Sequence, residues 1–261
     1  MKTKYKFKPK FCPDKRLSRG GRKTDSNYYR RHLGKKKINC ISYLIRNTDQ
    51  ILITSSVVQP AFKTGLIDRL ILLSHIEKAS PVICITKTDL ASAKSEYEVI
   101  SMIYKASGCP VYFTSIITGE GLEQIRSLLS HKKTAIVGHS GTGKTSLLRA
   151  IDPHFNEQIQ EVSDYTGKGK HTTRKVCLRD LSFGGIVYDM PGLKEMDFID
   201  LNKQDLSHYY PEFKTPAIRC RFSDCTHAHE TECGVKNAVA DGLIHAERYE
   251  NYLNILNSLE L

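Results

Sequence analysis

Residues 135–145 read Ala-Ile-Val-Gly-His-Ser-Gly-Thr-Gly-Lys-Thr, a β-branched apolar run that closes on glycines and a lysine. Few folds accommodate such a junction. Ala135, Ile136 and Val137 fit a buried strand, and Ser146 to Ile151 follow as a short helix. Between them Gly138-His139-Ser140-Gly141-Thr142-Gly143-Lys144-Thr145 matches G-x-x-x-x-G-K-[ST], with the strand and helix on either side that this pattern requires. Glycines let backbone N–H groups wrap phosphates, and the helix N-terminus adds positive potential. Lys144 reaches the β and γ phosphates of a bound nucleotide, and the Thr145 hydroxyl ligates Mg²⁺. Gly138 to Ser146 are therefore the phosphate-binding candidates.

The same alternation of strand and helix extends upstream. Ile51-Leu52-Ile53, Val82 to Ile85 and Val111-Tyr112-Phe113 are short apolar runs, while Leu66, Ile67, Leu70, Leu73 and Ile76 share one helical face. Buried parallel strands with crossover helices produce this pattern, so the fold class is α/β. After residue 212 a polar segment with Cys and His leads to a helix carrying Tyr249, Tyr252, Leu253, Leu256 and Leu259. The expected organisation is a basic arm at 1–37, a nucleotide-binding domain at 38–212 and a small metal-binding domain at 213–261.

Thr86-Lys87-Thr88-Asp89 follows the second strand at its carboxyl end, where ligand-binding residues of open α/β sheets collect. It resembles the [NT]-K-x-D motif of GTPases, whose Asp accepts hydrogen bonds from guanine N1–H and the exocyclic amine. Adenine lacks that donor pair. Thr114 and Ser115, after the third strand, fit the loop that places a backbone amide on guanine O6, and Ser115 is expected at that contact. Asp189-Met190-Pro191-Gly192 matches D-x-x-G, with Asp189 for a Mg²⁺-bound water and the Gly192 N–H for the γ-phosphate. Between it and the phosphate loop, Tyr165 to Arg174 contains His171-Thr172-Thr173; a Thr here closes the Mg²⁺ shell, and the polar, glycine-bearing segment suits a switch loop. The order is base motif, serine loop, phosphate loop, switch Thr, D-x-x-G, a circular permutation of the usual GTPase order. Such a rearrangement is admissible because chain breaks in surface loops leave the packed strands intact.

Many GTPases orient the attacking water with a Gln directly after D-x-x-G, but Leu193 stands there. The nearest group able to orient or accept a proton is His171. His139 is less suited, because its place in the phosphate loop is a variable one. Three functions follow in order of preference: a GTP-hydrolysing enzyme, a GTP-sensing RNA-binding switch with negligible turnover, and a P-loop kinase or ATPase.

Charge and cysteine usage bound the partners. The chain's formal charge is +11, and residues 1–37 hold 15 basic against 2 acidic side chains, leaving 24 basic and 26 acidic in the rest. A segment so polar cannot offset its ordering entropy by burial, and it reads as either a solubilising tail or, preferably, an RNA-binding arm with Tyr and Phe to stack on bases. No apolar run approaches the roughly 18–20 residues that cross a bilayer, and no leader-like apolar segment opens the chain, which points to a cytoplasmic protein. Five cysteines are scattered, but Cys220-x4-Cys225-x-His227-x5-Cys233 offers three thiols and an imidazole, enough for one closed, structural zinc shell. His229 competes with His227 for the fourth place.

Taken together, these motifs resemble the circularly permuted ribosome small subunit-dependent GTPases (RsgA, also called YjeQ). The resemblance spans about residues 47–253 and includes Asn47-x-Asp49-Gln50, Gly119-Glu120-Gly121-Leu122, the phosphate loop, His171-Thr172-Thr173 and the C-terminal Cys/His pattern. It implies GTP/GDP, Mg²⁺ and one structural Zn²⁺ as cofactors, and His171 as the catalytic residue. Cys220, Cys225, His227 and Cys233 are then the ligands, with His227 favoured over His229. It also implies binding to the small ribosomal subunit and its rRNA during maturation; the chain itself is expected to be a monomer. An OB-fold barrel is expected before the GTPase domain in that family, and 37 polar residues cannot make a five-stranded barrel. Thr86 in place of the commoner Asn is a milder departure.

Overall fold

The computed structural model describes residues 45–91, 95–155, 160–161, 177–189 and 201–259. The basic arm, His171, Thr172, Thr173, Gly192 and Leu193 lie outside the described residues. In chain order the elements are β1 Gln50–Ser56, α1 Thr64–Ile76, β2 Ser80–Thr86, α2 Ser95–Lys105, β3 Val111–Phe113, α3 Leu122–Leu129, β4 Lys133–Gly138 and α4 Lys144–Ile151. They continue with β5 Gln160–Glu161, β6 Cys177–Asp180, β7 Ile186–Asp189, α5 Lys203–Leu206, α6 Lys214–Ala217, α7 Gly234–Ala240 and α8 Ala246–Ser258.

The strands form one sheet in the order β3-β2-β1-β4-β7-β6-β5. β3, β2, β1, β4 and β7 are mutually parallel, as the buried apolar runs predict. Side chains alternate between the two faces. Ile51, Ile53, Ile83, Ile85, Ala135 and Val137 pack on one side with α1 and α2, and Leu52, Val82, Cys84 and Ile136 pack on the other with α3 and α4. With both faces covered, every residue of β1 is buried.

Two features depart from the sequence expectation. β6 joins the sheet antiparallel to β7, and β5 antiparallel to β6, where the apolar runs pointed to parallel strands. The four residues of β6, Cys-Leu-Arg-Asp, are too few and too mixed to register as an apolar run. Helix α4 also begins at Lys144, two residues earlier than Ser146, because Gly143 is its left-handed cap (φ 85°).

The β6–β7 turn is tied to the end of α4. Asp152 accepts from the Ser182 amide (2.7 Å), the Ser182 hydroxyl (2.8 Å) and the His154 amide (3.1 Å). Burial by itself raises the Asp152 carboxyl, but the hydrogen bonds from Ser182 and His154 outweigh it and hold the group below its ordinary range.

A third cluster joins Leu72 of α1 to Leu206, Tyr210, Phe213, Val235, Ala238, Tyr252, Ile255 and Leu256. Beside it lies a charged group with almost no exposure: Arg248 on α8 donates to Asp68 of α1 (2.6 Å) and to Glu212 (2.5 Å). Asn251 donates to the other Asp68 oxygen at 2.7 Å, and Thr64 donates to Glu247 at 2.6 Å. Burial pushes the Asp68 carboxyl up and the Arg248 guanidinium opposes it. Removing the cation leaves two buried carboxylates without a counter-charge. Arg248→Met should therefore cost about 3–5 kcal/mol in urea unfolding, and apolar replacement of Asp68, Glu212 and Arg248 together should cost far less.

Candidate functional site

The phosphate loop leaves the sheet where β4 runs beside β1. A Cβ on Gly138 would lie 2.2 Å from the Thr54 carbonyl oxygen, so only glycine allows this approach. The connection from β1 turns toward β2, whereas β4 has β7 on its other side, and the crevice outside such a reversal is where open α/β sheets bind ligands. Thr142 locks the loop in place. Its hydroxyl meets Thr54 Oγ1 (3.1 Å) and donates to the His139 carbonyl (2.9 Å), and its carbonyl accepts from Thr86 Oγ1 (2.6 Å). Thr86 Oγ1 also lies 3.0 Å from the Ser55 carbonyl. Thr86 thus bonds the base-motif strand directly to the phosphate loop. Lys144 Nζ lies over the loop, 2.9 Å and 2.8 Å from the Gly138 and His139 carbonyls. Ser140, Gly141 and Ser146 are exposed, Thr145 is half-buried, and the N-terminal amides of α4 face the same end of the sheet.

The base motif continues into a short turn at Thr88–Leu90, which leaves Asp89 exposed. Ser115 Oγ donates to Asp89 Oδ1 at 2.5 Å and accepts from the amides of Ile117 (3.1 Å) and Thr118 (3.2 Å). The base loop and the serine loop are therefore bonded side chain to side chain. The Ser115 amide, expected at guanine O6, instead donates to the Glu120 carbonyl at 3.1 Å. Ile116 follows it in the same turn, and its amide takes no part in these loop bonds among the described residues. Thr114 is buried, with its hydroxyl 3.2 Å from the Ile85 carbonyl.

The sequence reading also missed Gln59, whose carbonyl accepts from Lys87 Nζ at 2.6 Å. Asp189 ends β7 opposite Ile136 of β4, two residues before Gly138, so the backbone of the D-x-x-G motif starts beside the phosphate loop. A separate cavity of about 430 Å³, lined by Glu98, Met102, Tyr104, Lys105 and Cys109 among others, shares no residue with these loops.

The ligand atoms of Cys220, Cys225, His227 and Cys233 all lie within 4.8 Å of one another. Cys220 Sγ is 3.8 Å from Cys233 Sγ, and His227 Nδ1 is 3.5 Å and 3.3 Å from these two sulfurs. Tetrahedral Zn–S bonds of about 2.3 Å would place sulfurs about 3.8 Å apart and a sulfur–imidazole pair about 3.6 Å apart, so the spacings fit a zinc-sized ion. His227 is buried in the cluster and His229 is exposed. Tyr249 and Tyr252 of α8 donate to the carbonyls of His227 and Thr226, each at 2.6 Å, and Gly234 N donates to Cys220 Sγ at 3.3 Å. Burial, with Cys220 and Cys233 alongside, pushes the Cys225 thiol up to about 12, and burial lowers the His227 imidazole below its ordinary value.

A phosphate loop, a guanine-type base loop and a serine loop on one sheet edge, reached in permuted chain order, define the class of circularly permuted GTPases. Residues 27–199 match the sequence model of the RsgA GTPase family. The small ribosomal subunit biogenesis GTPase RsgA of Bacillus velezensis is 40% identical over 219 residues, covering 83% of this chain and 74% of its own length. The Bacillus subtilis protein of the same name is 37% identical, with 83% and 73% covered. Among solved structures, YjeQ from Thermotoga maritima superposes with a TM-score of 0.68 at 35% identity, covering 82% of this chain and 72% of that one. YloQ, described as a circularly permuted GTPase, gives 0.64 at 33% identity, covering 81% and 68%. The chain belongs to the RsgA GTPase family. It is accordingly a GTP-hydrolysing enzyme, not a switch without turnover and not a P-loop kinase.

The bridge between the two loops is open to measurement. Thr86→Val removes the hydroxyl that holds the Thr142 carbonyl and should raise the Kd for GDP about tenfold, the scale of one buried hydrogen bond left unmade. Isothermal titration of the variant against the parent chain reads this directly.

Proposed function

We propose that this enzyme hydrolyses GTP to GDP and phosphate in the maturation of the small ribosomal subunit, as a cytoplasmic monomer that meets subunit rRNA through residues 1–37. The observation that carries the nucleotide assignment is the bonded contact between loops far apart in sequence, Thr86 to Thr142 and Asp89 to Ser115. The name of the relatives supports the ribosomal partner. No helix among the described residues is long and apolar enough to cross a membrane.

In this reading Gly138 to Ser146 bind the phosphates, with Lys144 at the β and γ groups. Thr86 to Asp89, Thr114 and Ser115 hold the guanine, Asp89 accepting from its N1–H and amine. The donor set suits Mg²⁺: Thr145 offers a hydroxyl at the start of α4, Asp189 a carboxylate at the end of the neighbouring strand, and Thr172 or Thr173 a further hydroxyl. Bound Mg²⁺ supplies charge neutralisation at the phosphates. Gly192 offers its N–H to the γ-phosphate. His171 orients the attacking water, the role for which Leu193 has no polar group. The Cys220, Cys225, His227 and Cys233 set holds one structural zinc, and its four protein ligands leave no position for substrate.

Two experiments bear on this. Added small subunits should raise steady-state GTP turnover many-fold, and His171→Ala should lower kcat about a hundredfold or more; absence of stimulation would remove the ribosomal assignment, and unchanged turnover in the variant the catalytic one. Elemental analysis should find one zinc per chain, and Cys233→Ser should lose it together with the native fold of residues 213–259.

A further inference from the structure

Thr88 is the variable residue of the base motif, yet each of its polar groups is held by a different part of the chain. Its amide donates to the Thr114 carbonyl at 3.2 Å. Its carbonyl accepts from the Tyr97 hydroxyl of α2 at 3.0 Å, and its own hydroxyl donates to the Glu120 carboxylate at 2.6 Å. Tyr97 is fixed in turn by stacking on Phe113, with ring centroids 4.4 Å apart and planes 12° from parallel.

Glu120 has two grips on the base pocket. Its carboxylate holds Thr88 in the base loop, and its carbonyl holds the Ser115 amide in the serine loop. Because Glu120 is exposed, water would solvate its charge at little cost, so the contact with Thr88 is not forced by burial. The turn that presents it depends on close packing. Gly121 has φ +70°, and a Cβ there would lie 2.0 Å from the Phe113 carbonyl oxygen. Any side chain would lift the turn, and Glu120 with it, off the end of β3.

We propose that Glu120 is a positioning residue for guanine selectivity. By clamping Thr88 it fixes the backbone that carries Asp89, while Ser115 fixes the Asp89 carboxylate, so the base meets an acceptor set in advance. The inference rests on the guanine reading of this pocket. An acceptor already in place spares the ordering cost that would otherwise subtract from affinity. The effect is sharpest for the exocyclic amine, the donor that distinguishes guanine from hypoxanthine. Sites built around a substrate N–H discriminate strongly against an analogue without it, provided the acceptor cannot drift.

The test measures Kd for GDP and for inosine diphosphate on the full chain and on E120A, E120Q and T88V, with melting temperatures. E120A and T88V should each weaken GDP about tenfold, the scale of one charge-assisted hydrogen bond, and narrow the GDP preference over inosine diphosphate. The double variant should be no worse than either single one. E120Q, whose amide oxygen still accepts from Thr88, should restore the preference. GDP binding by E120A and T88V equal to the parent's overturns the proposal, as does an equal loss of both nucleotides. If E120A fails to fold, T88V and E120Q decide alone. A parent chain that does not prefer GDP defeats the guanine reading itself, which is a different failure.

Discussion

Thr142 stands where two strands and one loop meet. Its hydroxyl touches Thr54 on β1 and its carbonyl accepts a hydrogen bond from the Thr86 hydroxyl at the end of β2. Three small hydroxyl side chains thereby hold the phosphate loop and the base motif in fixed relation, and none of them needs to touch nucleotide to do so. Hydroxyls suit this place because each is short and buried and finds its partners within the protein, as buried polar groups must. Asp89 and Lys144 derive their usefulness from that framework. A carboxylate and an ammonium ion on loops free to move independently would bind a nucleotide only after ordering both.

The same framework explains why the permuted order is harmless. What the ligand meets is decided by which strands are neighbours, and β1 lies between β2 and β4 whatever the direction in which the chain visits them. The two-sided core depends on alternation within each strand, not on the order of strands. The antiparallel β6 and β5 sit at the far end of the sheet, beyond β7, where Asp152 fastens the turn to the phosphate-loop helix.

The C-terminal segment solves a different problem, that of a small apolar core. Its third cluster is supplemented by a zinc-sized cage and by the Arg248, Asp68 and Glu212 group. The tyrosines of α8 hold the backbone of the cage, and the charged residues of the same helix hold α1. One helix thus carries both attachments. Buried charges of this kind add little net stability, but they penalise any docking that leaves one of them alone.

By itself the sequence determined the features that depend on local pattern: the apolar runs of the parallel strands, the phosphate loop between strand and helix, the base and serine loops, and the spacing of three cysteines with a histidine. Each is a statement about residues close in the chain, where propensity and spacing act directly. Tertiary structure decided the rest. Arg248 lies among Glu, Tyr and Asn in a stretch that reads as a solvated helix face, and only the approach of Asp68, 180 residues away, makes burial tolerable. His227 and His229 are equivalent in composition, and the fold puts one in the cage and the other in solvent. The Ser115 amide is taken by Glu120, and Thr88 is gripped from three sides, because loops distant in sequence end at one edge of the sheet. A hydrogen bond needs its partner's position to within a few tenths of an ångström, and that position is set by packing, which no local pattern encodes.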